Sequence, residues 1–392
     1  MVTGGTGLLG SYVVERLLAD GWAVRTLVRD SGRSGWLSRI GAEVRRGDVL
    51  DAPGFATATR GCELVVHAAA SIFHRDGWAG YERSNVMGTA NAITAARTAG
   101  ARLVHVSSVA VYGPGGRYMA DGRRTGEDVE LAPLPASALY ARSKRESEAL
   151  VLQAHAEGRI WATAVRPCVI YGQRDRQFVP RMARLIDRGM VPLIDGGRST
   201  MAIVHAANVA DGIARAASAE AAGGRAYNLA DDFPITVADF FRLGAQGMGV
   251  PLRTVRVPRK VARGAAAIVE RVGPLLGMNR SVASAKSSLN FISRDNPFSS
   301  DRARAELGWS PFIRHEDGVP EAFRWWRVNM ALWSAKTQRW WRASETKIRN
   351  MSVIRGRPPA SAARARAPAR RHCPARPRRS AARSSAGRAS SR

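Results

Sequence analysis

Short runs of aliphatic and β-branched residues alternate with longer helical patterns over the first 230 positions. Ala23–Val28, Glu43–Arg46, Leu64–Val66, Leu103–Val106 and Trp161–Val165 read as strands. Ser11–Asp20, Ser84–Thr98 and Ser137–Glu157 read as helices between them. Strands alternating with helices predict a parallel sheet covered on both faces, because each parallel crossover lays a helix over the sheet. After about Tyr227 the pattern becomes irregular and mainly helical, which predicts a smaller second domain. From about Met351 the chain is Arg, Ala, Pro and Ser with almost nothing to bury, so it is expected to be disordered. No internal repeat is visible.

No window approaches ~18 uninterrupted apolar residues, so no spanning helix is expected. The most apolar late stretch, Ala265 to Met278, carries Glu270 and Arg271. A glycine-rich turn stands where a signal peptide would need its basic and apolar regions. Three scattered cysteines, Cys62, Cys168 and Cys373, exclude a disulfide framework and a Cys-rich metal site. These features predict a cytoplasmic globular protein with 45% hydrophobic residues to build its core.

The net charge of +28 has to be located before it is interpreted. Residues 351–392 hold twelve Arg and no acid, which leaves +16 on the rest. Only five of the 60 basic residues are Lys, a bias that reads as GC-rich coding rather than as an interface. The balance favours anionic partners in general. The charge is concentrated in the tail without interleaved aromatic residues, so no specific nucleic-acid partner is expected.

The chain opens Val2-Thr3-Gly4-Gly5-Thr6-Gly7-Leu8-Leu9-Gly10-Ser11. Glycines at 4, 7 and 10 between a strand end and a helix start suit a tight turn, close approach to a pyrophosphate and close helix packing. The helix N-terminus then faces the anion. Only three residues precede this turn, whereas strands usually run ~5–6. The first strand is therefore expected to be clipped, with the natural start upstream.

The spacing GxxGxxG resembles the extended branch of the short-chain dehydrogenase/reductase superfamily, the NAD-dependent epimerase/dehydratase family. Further elements follow in order over most of residues 1–335. They are Gly47-Asp48-Val49, His67-Ala68-Ala69, Asn85-Val86-Met87-Gly88-Thr89, the serine strand Val106 to Gly113, Tyr140-Ala141-Arg142-Ser143-Lys144 and Arg166-Pro167. The resemblance implies a Rossmann-type doubly wound α/β sheet, a smaller, mainly helical substrate lobe and a disordered basic tail. The implied division is a dinucleotide-binding domain over 1–226, with part of the substrate lobe inserted around 172–204. The lobe itself covers 227–335 and the tail 336–392. The cofactor would contact Gly4, Thr6, Gly7, Leu8, Leu9, Gly10, Arg29, Asp48, Val49, Ala68, Ala69, Tyr140, Lys144 and Pro167.

Tyr140 and Lys144 stand at i and i+4 and share one helix face. They follow a serine-bearing strand end, at the carboxyl edge where ligands bind in such sheets. A phenol near pKa ~10 is a poor base at neutral pH. A nearby ammonium is expected to lower it and so let Tyr140 exchange a proton with an alcohol or ketone. Ser108 would hydrogen-bond the same oxygen. Ser107 is the rival serine; the family pattern, counted back from Gly113, favours Ser108. By resemblance, Lys144 would also hold the nicotinamide ribose. No metal is expected.

Val28 stands where NAD-selective relatives carry an acid, and Arg29 follows. A guanidinium suits the 2′-phosphate of NADP, so NADP is favoured over NAD. The alternative is that Arg29 is solvated and Asp30 takes the ribose. Sugar-nucleotide dehydratases carry an Asp-Glu pair where this chain has Val109-Ala110. Sugar-nucleotide epimerases hold the diphosphate from positions occupied here by Val169 and Met201, although Arg174, Arg176 or Arg198 could compensate.

Tyr171 to Pro180 and Asp301 to Trp309 resemble the 3β-hydroxysteroid dehydrogenase-like and dihydroflavonol reductase-like branch. Ile72, Phe73, Phe178 and Met201 are candidate pocket walls. The resulting expectation is an NAD(P)-dependent oxidoreductase interconverting a secondary alcohol and a ketone on a small or apolar substrate. The alternatives are a nucleotide-sugar 4-epimerase and a non-catalytic dinucleotide sensor.

Six of ten tryptophans lie between 309 and 341. Phe323, Trp326, Met330, Trp333 and Trp340 recur at helical steps among Arg and Lys. This pattern suits either a last core helix or a basic amphipathic helix making peripheral membrane contact. A homodimer is a further option.

Overall fold

A computed structural model describes residues 1–29, 34–113, 122–230, 233–272 and 294–333. The tail, the Trp/Arg-rich stretch beyond Trp333 and Asp30 lie outside the described residues.

The first half alternates as the pattern predicts: β1 (Val2–Thr3), α1 (Leu8–Ala19), β2 (Arg25–Val28), α2 (Gly35–Arg39), β3 (Glu43–Arg46), α3 (Ala52–Thr59), β4 (Leu64–His67), α4 (Gly77–Tyr81), α5 (Gly88–Ala99) and β5 (Arg102–Val106). Then come α6 (Leu139–Ala156), β6 (Ala162–Pro167), β7 (Val169–Tyr171), α7 (Phe178–Asp187), β8 (Val191–Ile194), β9 (Ile203–His205), α8 (Ala206–Ser218) and β10 (Ala226–Leu229). The chain continues with α9 (Val237–Met248), β11 (Thr254–Val257), α10 (Arg259–Val272), α11 (Asp301–Leu307) and α12 (His315–Trp333).

Seven parallel strands form the main sheet in the order β10-β6-β5-β4-β1-β2-β3. The order reverses between β1 and β4, and ligands of doubly wound sheets bind at the carboxyl end of that switch point. The central strands are apolar on both faces, as burial under two helix layers requires: Val65, Val66, Leu103, Val104, Ala162 and Ala164 are all buried. β10 carries the sheet on to Leu229, three residues beyond the boundary placed at 226.

α7, β8, α9 and α12 contribute to a second core around Phe240 and Phe323. Phe323 and Trp326 are buried there, so the described apolar face of α12 is already packed. Residues after 227 are less purely helical than the pattern suggested. Besides β10, the strand β11 pairs with β8 in a separate two-stranded parallel sheet.

The helix expected over Ser84–Thr98 begins earlier and changes form. α4 runs into one π-helical stretch, Glu82–Met87, before α5. Single π turns within helices re-aim side chains that a uniform α-helix would place elsewhere.

Candidate active site

The turn after β1 brings backbone into very close contact. Gly4 has φ +72°, a left-handed conformation that glycine adopts without strain. A Cβ on Gly10 would stand 2.2 Å from the Gly4 carbonyl oxygen, so α1 packs against the turn only because that atom is missing. Gly7 caps α1, whose free N–H groups carry partial positive charge.

A cavity of about 870 Å³ runs from this turn along the sheet's edge into the second lobe. At one end it is lined by Gly4, Gly7, Leu8, Leu9, Gly10 and Arg29. Ala68, Ser108, Tyr140, Lys144 and Pro167 stand along its wall. Four of the expected cofactor residues do not line it. Thr6 and Ala69 are neighbours of lining residues. Asp48 bonds its own turn, accepting from Leu50 N at 3.0 Å, and Val49 packs against α5.

Ser107 and Ser108 both line the cavity but behave differently. Ser107 is buried, and its Oγ has no partner among the described residues. Ser108 Oγ accepts from Ala110 N at 3.1 Å, which leaves its proton to donate, and it hydrogen-bonds the Tyr140 phenol.

The electrostatics correct one expectation. Lys144 does not lower Tyr140. Burial pushes the phenol up to about 12, opposed only by the bond from Ser108. Lys144 Nζ instead donates to the Val106 carbonyl at 2.8 Å, and burial pulls it down to about 8 against the raising influence of Glu148. Low-dielectric surroundings favour the neutral form of both groups.

Several residues that the sequence offered only as parts of motifs, with no role assigned, turn out to support the site. Asn85, aimed by the π turn, accepts from Ser71 N at 2.8 Å and donates to Ser71 O and Ser143 Oγ, each at 3.0 Å. It thereby ties the loop after β4 to α6 beside Lys144. Arg166 makes a buried bidentate pair with Glu148 of α6 and donates to Tyr112 Oη at 2.8 Å. This pair fixes α6 to the end of β6. His67 and His105 sit opposite each other on β4 and β5 with stacked rings 5.8 Å apart. Burial, with Lys144 adding to it, holds His67 down at about 3 and His105 well below its ordinary value.

The rest of the cavity's lining is mixed: Ile72, Phe73, Val169, Ile170 and Phe178 stand together with Arg176, Arg181, Arg294 and Asp295. Met201, expected among the apolar ones, is buried in the second core instead. Its position on the chain just before β9 turns it away from the cavity. Arg174, one of the candidate diphosphate ligands, is held by a bidentate pair with Glu15 at 2.7 and 2.8 Å. Arg176 lines the cavity; Arg198 does not. Among the described residues no cluster could hold a metal.

Residues 1–230 match the model of the NAD dependent epimerase/dehydratase family. A 4-hydroxy-2-methyl-3-oxo-4-farnesyl-3,4-dihydroquinoline-1-oxide ketoreductase from Stigmatella aurantiaca is 33% identical, over 81% of this chain and 93% of that protein. A decarboxylating sterol-4-alpha-carboxylate 3-dehydrogenase from Dictyostelium discoideum is 25% identical, over 82% and 98%. Among solved structures, a dTDP-glucose 4,6-dehydratase from Streptomyces venezuelae with NAD bound superposes with a TM-score of 0.63. It is 24% identical and covers 85% of this chain and 98% of that one, a likeness of fold. On the glycine turn, the parallel sheet and these matches together, the chain belongs to the NAD-dependent epimerase/dehydratase family, as an NAD(P)-dependent oxidoreductase of the extended short-chain type.

Proposed function

We propose that this enzyme interconverts a ketone and a secondary alcohol on a small or apolar substrate, with NADP preferred to NAD. The observation that carries the reading is the pairing of Ser108 with Tyr140 on the wall of a cavity that Ile72, Phe73, Val169, Ile170 and Phe178 also line. The residues fit the cofactor. A cradle that a Cβ on Gly4 or Gly10 would fill leads to the N-terminus of α1, and Arg29 lines the same end of the cavity. Gly4, Gly7 and Gly10 would approach the pyrophosphate, Arg29 the 2′-phosphate and Lys144 the nicotinamide ribose. The cofactor supplies or accepts the hydride.

The chain's own residues manage the proton and the charge. Held at about 12, the Tyr140 phenol keeps its proton at neutral pH and can donate it to a ketone oxygen as that oxygen gains charge. Ser108 donates to the same oxygen and stabilises the developing alkoxide. In the reverse direction it is the phenolate form of Tyr140 that receives the alcohol proton, so oxidation is favoured as pH rises towards 12. Ile72, Phe73 and Phe178 offer apolar surface that a bound apolar substrate would cover, Ile72 and Phe73 being exposed without it.

A sugar-nucleotide substrate is less well supported. Val169 offers nothing to a diphosphate, Met201 is buried elsewhere and Arg174 is committed to Glu15, which leaves Arg176, Arg181 and Arg294 as the other arginines of the far lining. The test is a panel of aliphatic, cyclic and polycyclic ketones and alcohols, with UDP-sugars included, followed by nicotinamide absorbance with both cofactors. Turnover of apolar ketones with NADPH supports the reading. Activity confined to UDP-sugars overturns it.

A further inference from the structure

The layer formed by β8, β11 and α10 differs from the rest of the surface. α10 has fourteen residues, and every side chain described from Arg259 to Ile268 is exposed except the half-buried Ala262. Helices of this length are marginal alone and draw most of their stability from packing an apolar face. Val261, Ala265 and Ile268 recur at i, i+4 and i+7 and so share one face, yet Val261 is 60% and Ile268 64% exposed. Two more exposed apolar side chains lie in the same layer: Met190, just before β8, and Val255 on β11.

The charge of this layer is one-sided. α10 carries one acid, Glu270 near its end, but between Gly249 and Val269 there are five basic residues and no Asp or Glu. These are Arg253, Arg256, Arg259, Lys260 and Arg263, all exposed. Asp195 stands 3.2 Å from Arg259. At helical spacing Arg259 and Arg263 stand together on one side and Lys260 beside them, opposite the Val261–Ile268 face. An apolar stripe with cations on the helix's other face matches the interface of an anionic bilayer, where aliphatic groups enter the acyl boundary and long cationic side chains reach headgroup phosphates. A nucleic acid would leave the aliphatic stripe in water, and the stretch 249–272 has no aromatic residue on which a base could stack.

We propose that α10, with the adjoining face of β11, is a docking surface for anionic lipid membranes. The helix lies on the bilayer and does not cross it, since no described helix is long and apolar enough to span.

The experiment is vesicle co-sedimentation of the full-length protein. It uses phosphatidylcholine vesicles with and without 30% phosphatidylglycerol, at low and at high salt. The comparison is between the wild type, Val261→Asp/Ile268→Asp and Lys260→Gln/Arg263→Gln. We expect wild-type binding to the anionic vesicles to fall at least tenfold in the aspartate variant at both salt levels. The glutamine variant should lose severalfold at low salt. Because every substituted side chain is exposed, thermal melting and cofactor affinity should be unchanged, which separates lost docking from lost folding. Binding carried by the Arg-rich tail alone would be salt-labile and equal in all three proteins, and that result overturns the proposal. So would an aspartate variant that keeps its vesicle binding but loses affinity for duplex DNA, or one that loses only a concentration-dependent self-association.

Discussion

Tyr140 and Lys144 stand one turn apart on α6, yet burial moves them in opposite directions on the pH scale. The phenol rises to about 12 and the ammonium falls to about 8. Lys144 is a charge the fold holds at a cost near neutral pH. Its folded value lies below the unfolded one, so between about 8 and ~10.5 the unfolded chain binds more protons. Stability therefore rises with pH through that window and is lost as pH falls through 8, by about 3 kcal/mol at order of magnitude. Lys144→Met should abolish turnover while removing this rise. Urea melts of both proteins between pH 7 and 9.5 check it, and equal slopes would show that the buried ammonium is not the source. A second test at this scale concerns Arg29, which lines the cofactor end of the cavity. Arg29→Ala should weaken NADP by tenfold or more on the strength of a lost charge-assisted pair, about 1.5–3 kcal/mol, and NAD much less. Titration with each cofactor decides it; equal losses mean that Arg29 does not read the 2′-phosphate. Ser108, Tyr140 and Lys144 were legible because their spacing and order are local. The direction of the Tyr140 shift was not, because it depends on burial and on where the Lys144 ammonium points, neither of which spacing encodes.

The helix that carries Tyr140 and Lys144 is fixed at its middle by the buried Glu148–Arg166 pair, bonded at 2.6 to 3.1 Å. Removing one partner of such a pair strands the other charge. Glu148→Gln should destabilise the fold by about 3–5 kcal/mol. Because α6 loses its tie to β6, the same variant should also lower kcat more than cofactor affinity. Chemical denaturation with steady-state kinetics reads both effects, and a loss below about 1 kcal/mol would show that the helix is held elsewhere. At the neighbouring strands, His67 is held neutral down to about 3 while an unfolded histidine titrates near ~6.5. Its contribution to stability is present above that unfolded value and is lost as pH falls towards 3. His67→Asn should flatten the acid side of the stability profile, measured by melting temperature from pH 7 to 4. An unchanged slope would rule His67 out as a source of acid sensitivity. The strands and the three long helices read in the first half fall within a few residues of those observed, since their apolar periods are strong, whereas the short α2, α3 and α4 left too few turns to show a period. The π turn at Glu82–Met87 was not: it inserts one residue into an otherwise helical pattern, and only the tertiary bonds of Asn85 reveal its purpose.

Over the whole molecule, the sheet's order reversal between β1 and β4 puts the glycine turn, the serine strand and α6 around one cavity. That juxtaposition was legible as a class of fold, because alternating β and α leaves few arrangements. The shape of the second lobe was less so. Its core joins α7 and β8, from the middle of the chain, to α9 and α12, and such long-range packing leaves only a weak local pattern. Met201 illustrates this: nothing in its neighbourhood along the chain distinguishes a cavity wall from that second core. The central claim is that the cavity transfers hydride to a ketone carbon while Tyr140 delivers the proton. The most direct measurement supplies an apolar ketone with NADPH deuterated at the transferring C4 position, to the wild type and to Tyr140→Phe, and follows deuterium in the product by mass spectrometry. The account predicts one deuterium on the carbinol carbon with the wild type. It predicts at least a thousandfold slower product formation by the variant, with cofactor affinity within a few-fold. Product without deuterium, or a Tyr140→Phe enzyme turning over at the wild-type rate, would contradict it.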